Sequence, residues 1–229
     1  MHTPSTPGDF PANPIEKPGY RLEFHDEFAD AALDERRWVP RYLPQWSSRA
    51  QAAPRYQIRD GALVLQIAHD QAPWCPEFDG PNRCSSIQTG VYAGPLGSAV
   101  GQHRFNPACV VREEQPPQRT YTPQYGYFEL RARAVAHPSN LVALWMIGYE
   151  DAPERSAEIA IMEIKGWHVA PQRLPLGYGL HPWGDASITD AFFEDELPLD
   201  ATQFHIYAAE WTPTHIDFYL DNQKIRTLR

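Results

Sequence analysis

The chain reads as an all-β protein built from antiparallel sheets, a sandwich or barrel, on three observations. Turn formers are plentiful, with 14 glycines and 23 prolines in 229 residues, and aromatic residues make up 12%. Apolar residues alternate in short runs rather than at helical spacing. No helix of ordinary length and no repeat of 20–50 residues is visible. The runs follow one another at hairpin-like intervals, which favours antiparallel pairing and a twisted sheet.

Each element has its own warrant. Tyr20 to Phe28 alternates and predicts a first strand, and Ala31 to Trp38 a helical turn or tight loop. Ile58, Leu63, Leu65 and Ile67 flank Asp60-Gly61, the signature of a hairpin with a two-residue turn. Residues 70–84 and 94–123 are proline-rich, and long loops of this kind often carry function. From Tyr125 to Ala134, Phe128, Leu130, Ala132 and Ala134 share one face and Tyr127, Glu129, Arg131 and Arg133 the other. Leu141 to Ile147 is almost wholly apolar, which suits a strand buried on both faces or lining a cleft. Strands are expected over 157–165, 204–211 and 215–220, and Asp221-Asn222 turns the chain into a last one.

Composition narrows the function. The net charge of −9 and pI near 5.4, without basic clusters, argue against nucleic acid or an anionic membrane as partner. No apolar stretch reaches the ~18 residues of a membrane span. Residues 1–18 read as a flexible leader ahead of one domain over 19–229. The leader lacks an apolar signal core, so the chain as written reads as cytoplasmic. Cys75 and Cys84 bracket a loop that a disulfide could close, but Cys109 would be left over, and the odd count favours free thiols. No Cys/His spacing fits zinc.

The most informative stretch is Glu158-Ile-Ala-Ile-Met-Glu163. Two facing carboxylates are the minimum equipment for cleaving a glycosidic bond. In a regular strand, residues five apart point to opposite faces, which would drive Glu163 into the core at high cost. One extra residue at Ile161 or Met162, a β-bulge, resets the alternation and puts Glu158, Ala160 and Glu163 on one face. The plainer reading is a half-buried strand with two solvated glutamates.

Other segments shift that balance. Phe24-His-Asp-Glu-Phe28 with Leu33-Asp34 and Trp38, Ser86 to Gly90, Tyr125 to Arg133, Ala143-Leu-Trp-Met146, and Phe204 to Thr212 with Ile216 to Asp221 run in an order that resembles glycoside hydrolase family 16. That family has the laminarinase and lichenase type of β-jelly roll. The resemblance covers nearly the whole chain and implies a concanavalin A-like antiparallel β-sandwich with one or two core strands beyond Arg229. It implies a retaining endo-glycosidase acting on a β-linked polysaccharide, most simply a β-1,3- or mixed-linkage glucan. Glu158 would be the nucleophile and Glu163 the general acid/base. The family's strand reads Glu-x-Asp-x-x-Glu, and Ala160 stands where the middle Asp belongs, so Glu158 lacks that orienting partner.

Sugar rings stack on aromatic side chains, and the chain has 7 tryptophans. Trp167 and Trp183 flank strands without apolar periodicity and are expected in the cleft. Trp145 is balanced between core and cleft. His181 sits where the family places a subsite histidine, with a structural histidine as the alternative. Trp38 and Trp211 read as packing. Glu23, Asp26 and Glu27 read as a solvated acidic turn rather than the structural calcium site of some relatives, so no cofactor is expected. The expected partner is a polysaccharide bound by a monomer, and a polymer substrate suggests export. A catalytically weak carbohydrate-binding protein on the same fold is the competing reading; Ala160 supports it, and retention of both glutamates opposes it. A sandwich without ligand ranks last.

Overall fold

Asp60 and Gly61, with φ of 55° and 69°, form the tight turn that joins β1 (Arg55–Arg59) to β2 (Ala62–Gln66) in the computed structural model, which describes residues 8–229. The chain divides into two compact units. One comprises Phe24–Thr122 and Gly148–Arg155. It holds the β1–β2 hairpin and a second short ladder of β3 (Gly90–Val91) and β4 (Gln118–Arg119). The rest is mostly loop, with short helical turns at Pro44–Trp46, Pro76–Asp79 and Pro153–Arg155, around a small core of Leu43, Trp46, Trp74, Cys75, Phe78, Cys109 and Val111. Such a loop region needs side chains to satisfy its backbone. Gln45 and Trp46 both donate to the Gln102 carbonyl, at 2.9 and 3.0 Å. Cys75, Cys84 and Cys109 are free thiols, and burial raises the pKa of all three.

The other unit takes in residues 8–23, Pro123–Ile147 and Ser156–Arg229. It is an antiparallel β-sandwich. One sheet orders β12-β11-β10-β5, from β5 (Gly126–Ala132), β10 (His205–Trp211), β11 (Ile216–Leu220) and β12 (Gln223–Leu228). The second orders β6-β7-β8-β9, from β6 (Leu141–Ile147), β7 (Glu158–Lys165), β8 (Leu174–His181) and β9 (Ala191–Leu197). Alternation sends one set of side chains from each sheet into a shared core. Ile159, Ile161, Met162, Ile164, Leu174, Leu176 and Tyr178 meet Tyr207, Ala209, Ile216, Phe218 and Leu220 there. Phe128, Leu130 and Ala132 of β5 pack against that core, as their spacing predicts.

Several expectations change. Residues 20–28 form no ladder. Asp26 accepts the Phe28 N–H at 2.8 Å where Phe28 has φ 48°, and that local turn competes with extension. Ala31 to Trp38 is a tight loop, and of Ser86 to Gly90 only the bridge of Gln88 to Val39 and the start of β3 pair. β8 and β9 were not expected. Leu174, Leu176, Tyr178 and Leu180 do alternate, but Pro175, Gly177 and Gly179 between them disguise the strand as loop. Of the expected leader, residues 1–7 lie outside the described residues. Further along, Phe10 donates to the Phe204 carbonyl at 2.7 Å, and Asn13 bonds Glu129 and Asn222 at 2.8 and 2.7 Å. Among the described residues no helix is long and apolar enough to cross a membrane.

Gly179 shows how tightly β8 and β9 approach. It has φ 146°, and a Cβ there would sit on the Ala191 carbonyl oxygen and 2.7 Å from Phe192 Cα. Gly179→Ala is therefore expected to cost at least about 2 kcal/mol through strain and overpacking together. Chemical denaturation measures it, and an unchanged midpoint would contradict this packing.

Candidate active site

The register of β7 places the two glutamates. On the β8 side Ala160 pairs with Gly179 and Glu163 with Gly177, so Ile161 and Met162 together face Tyr178 alone. On the β6 side Leu144 pairs with Met162 and Trp145 with Ala160, which leaves Ile161 without an opposite number. This is the bulge that the burial conflict demands. Ile161 and Met162 are both core residues, 3% and 1% exposed. Cross-strand partners share a face. The face turned away from the core therefore carries Ala143, Trp145 and Ile147 of β6, then Glu158, Ala160 and Glu163 of β7. Beside them come Gly177, Gly179 and His181 of β8, and Phe192 and Glu194 of β9.

Most of the expected site residues meet here. The Trp183 indole donates to Glu158 Oε2 at 2.7 Å. The His181 ring lies 5.8 Å from the Trp183 ring and stacks on Phe192 at 4.8 Å and 20°. His181 Nδ1 is 2.8 Å from Asp190 Oδ2, which fixes the ring's orientation. Trp145 sits directly opposite Ala160. Trp167 stands apart from this face ladder, on the 3-10 turn Gly166–His168 that follows β7, and is half exposed. Trp38 and Trp211 pack, Trp38 edge-on to Phe24 and Trp211 against the sandwich core.

Sequence reasoning missed Phe192 and Asp190. Phe192-Phe193 straddles the two faces of β9: Phe193 joins the core, and the Phe192 ring covers the bare backbone of Gly177. Aromatic cover of a neighbouring strand's glycine is a recurrent device. The available signal was the alternation of Phe193, Asp195 and Leu197 against Phe192, Glu194 and Glu196.

Burial acts on both carboxyls, and their partners differ. Burial pushes Glu158 above the usual carboxylate range; the Trp183 hydrogen bond and the neighbouring His181 oppose that shift, and Glu163 adds to it. Burial also raises Glu163, against His181 and Lys165 and with help from Glu194. Among the described residues Glu158 receives a side-chain donor and Glu163 receives none. A donor favours the charged form, and a dry site without one favours the protonated form.

Asp26 and Glu23 of the acidic turn have partners within the chain. Asp26 spends one oxygen on the Phe28 N–H and the other on the Trp38 indole, both at 2.8 Å, and Glu23 pairs with Arg21. Among the described residues no group of three His, Cys, Asp or Glu side chains could hold a metal ion.

Residues 118–229 match the family model described as glycosyl hydrolases family 16. The family resemblance read in the sequence holds. A curated β-glucanase of Rhodothermus marinus is 31% identical over 104 residues, 43% of this chain and 35% of that protein. A GlcNAcα1-4Gal-releasing endo-β-galactosidase from Clostridium perfringens superposes with TM-score 0.83 at 35% identity, over 96% of this chain and 55% of its own. The laminarinase catalytic domain of Thermotoga maritima shares the fold alone, with TM-score 0.53 at 18% identity over 91% of this chain and 76% of that one. The chain thus spans about a third of the β-glucanase and about half of the endo-β-galactosidase. The matched segment 118–229 contains both glutamates, His181 and Trp183.

A stability prediction follows from the raised carboxyls. A carboxyl whose folded pKa exceeds its unfolded value makes folding less favourable once it ionises. That cost is absent below the unfolded pKa, grows as pH rises between the two values and is complete above the folded one. Glu163→Gln is expected to be more stable than wild type at pH 7, with the difference vanishing as pH falls below the ordinary carboxylate range. Urea midpoints at pH 4 and pH 7 test this; equal or lower stability of the variant at pH 7 would show that Glu163 is not held in a desolvated site.

Proposed function

We propose that the chain carries a retaining endo-glycosidase of the family 16 type, acting on a β-linked polysaccharide or oligosaccharide. The observation that carries this reading is the placing of Glu158 and Glu163 on one face of a bulged strand with Ala160 between them. Retention needs the two carboxyls ~5–5.5 Å apart, while two alternate positions along a strand, the step from Glu158 past Ala160 to Glu163, advance by roughly 13 Å. The side chains must therefore lean together over Ala160, the small residue between them on that face.

Roles follow from the asymmetry of their partners. Glu158, held by an indole N–H, is suited to be the charged nucleophile. Glu163, half-buried and without a side-chain donor among the described residues, is suited to carry the proton. In the first step a Glu158 oxygen bonds the anomeric carbon as the glycosidic C–O bond breaks, and Glu163 gives its proton to the leaving oxygen. In the second step water attacks the same carbon, its proton passes to Glu163, and Glu158 leaves as carboxylate. Phe192, His181 and Trp183 supply an aromatic row for the apolar face of a sugar.

For the linkage, two relatives pull in different directions. The β-glucanase supports the glucan expected from sequence. The endo-β-galactosidase shares the higher identity over nearly all of this chain and supports a β-galactosidic bond. We favour the galactosidic linkage on that coverage. The competing reading of a catalytically weak binding protein draws on Ala160.

A reducing-end assay over glucans and galactose-containing glycans is expected to find cleavage in the second group. Glu158→Gln and Glu163→Gln should each lower kcat by at least about 10³-fold, with unchanged circular dichroism. Azide should restore turnover to Glu158→Gly and give the inverted glycosyl azide. Wild-type activity in either Gln variant would remove that residue from the mechanism.

A further inference from the structure

We propose that Trp183 is the positioning residue of the nucleophile: its indole N–H fixes Glu158 Oε2 and thereby aims Oε1 at the anomeric carbon. The inference rests on the reading of Glu158 as nucleophile and assigns a role that neither the strand nor its carboxylates contain. Glu158 is 6% exposed, and its same-face neighbour Ala160 is 0% exposed and has no polar side-chain atom. The orienting bond must come from outside β7. It comes from Trp183, at 2.7 Å.

The loop that carries this indole is built to hold it. Trp183 has φ 43°, a conformation that bulky residues adopt only where their surroundings impose it. Asp185 N–H closes a turn on the Pro182 carbonyl at 2.8 Å. Gly184 N–H donates to Ser156 Oγ at 3.0 Å. Ser156 lies two residues before Glu158, so the segment that leads into the nucleophile strand also anchors the loop that orients the nucleophile. The ring itself remains 49% exposed. One edge of the indole thus serves the carboxylate while part of the ring is exposed.

These two duties are separable. Trp183→Phe keeps an aromatic face and deletes the N–H. In the full chain, on whichever panel substrate the wild type cleaves, it is expected to lower kcat by about 10–100-fold, the range for a hydrogen bond to a charged group. KM should stay within about 3-fold, because the stacking surface remains. The acid limb of the kcat profile should move to higher pH, because the charged form of Glu158 has lost its donor. Carbon-13 NMR of carboxyl-labelled glutamate gives a readout independent of turnover: the Glu158 resonance should titrate at higher pH in the variant. If Trp183→Phe folds poorly, Ser156→Ala loosens the same loop without touching the ring and should show the same shifts at smaller amplitude. An unchanged acid limb and titration, or a rise in KM alone, would overturn the positioning role and leave Trp183 as a stacking surface. A wild type that cleaves nothing would sink the glycosidase reading instead, and the NMR titration would still decide whether Trp183 governs Glu158.

Discussion

A strand has two faces, and β7 must satisfy both. Its apolar residues are needed in the sandwich core, and its two glutamates must stay out of it. Regular alternation cannot meet both demands over the spacing from Glu158 to Glu163, because it would bury one carboxylate among Ile159, Ile161 and Ile164. The extra residue at Ile161 resolves the conflict. Ile161 and Met162 both turn to the core, and the phase of every later side chain shifts by one. The whole site inherits that shift. Pairing to β6 brings Trp145 opposite Ala160, and pairing to β8 sets Gly177 and Gly179 beside Glu163 and Ala160. Without the bulge the same residues would make an ordinary strand, with one glutamate lost to the interior.

Backbone and side chains share the making of the site unequally. β8 contributes space more than chemistry. Its glycines let β9 come close, and Phe192 lays its ring where a side chain of β8 would otherwise stand. His181, at the end of β8, is held between the Phe192 ring and the Asp190 carboxylate. The difference in partners between the two glutamates has a similarly local origin. Both are desolvated by the same sheet, and one indole distinguishes them.

Much of this was legible in the amino-acid order. The β1–β2 hairpin was announced by Asp60-Gly61, β5 by clean alternation, and the bulge by a burial argument that needs no coordinates. Where reading failed, the physical signal was weak or pointed elsewhere. β8 breaks its own pattern with Pro175 and two glycines, because a close approach to β9 requires those glycines. Residues 20–28 alternate without pairing: Leu22 is half exposed, Tyr20 packs on Tyr127 of β5, and Phe24 stacks on Tyr121 at 4.9 Å. Phe192 could not be assigned to the site while β9 itself was unseen. The partnership of Trp183 with Glu158 spans 25 positions, and no periodicity encodes a single long-range hydrogen bond.

In the described sheet, β9 pairs with β8 alone, so the strand that carries Phe192 and leads in from Asp190 is held from one side. Edge strands open at lower free energy than central ones. Opening here would uncover Gly177 and release His181 from both of its supports. The aromatic wall of the site is thus a thermodynamic variable: a ligand that rests on Phe192 binds the paired state of β9 and draws its affinity from the fraction of molecules already in that state. Binding of any ligand to that wall and the fraying of this edge would then be two readings of one equilibrium, and a substitution on the outer side of β9, remote from either glutamate, would change affinity by changing how often the wall is there.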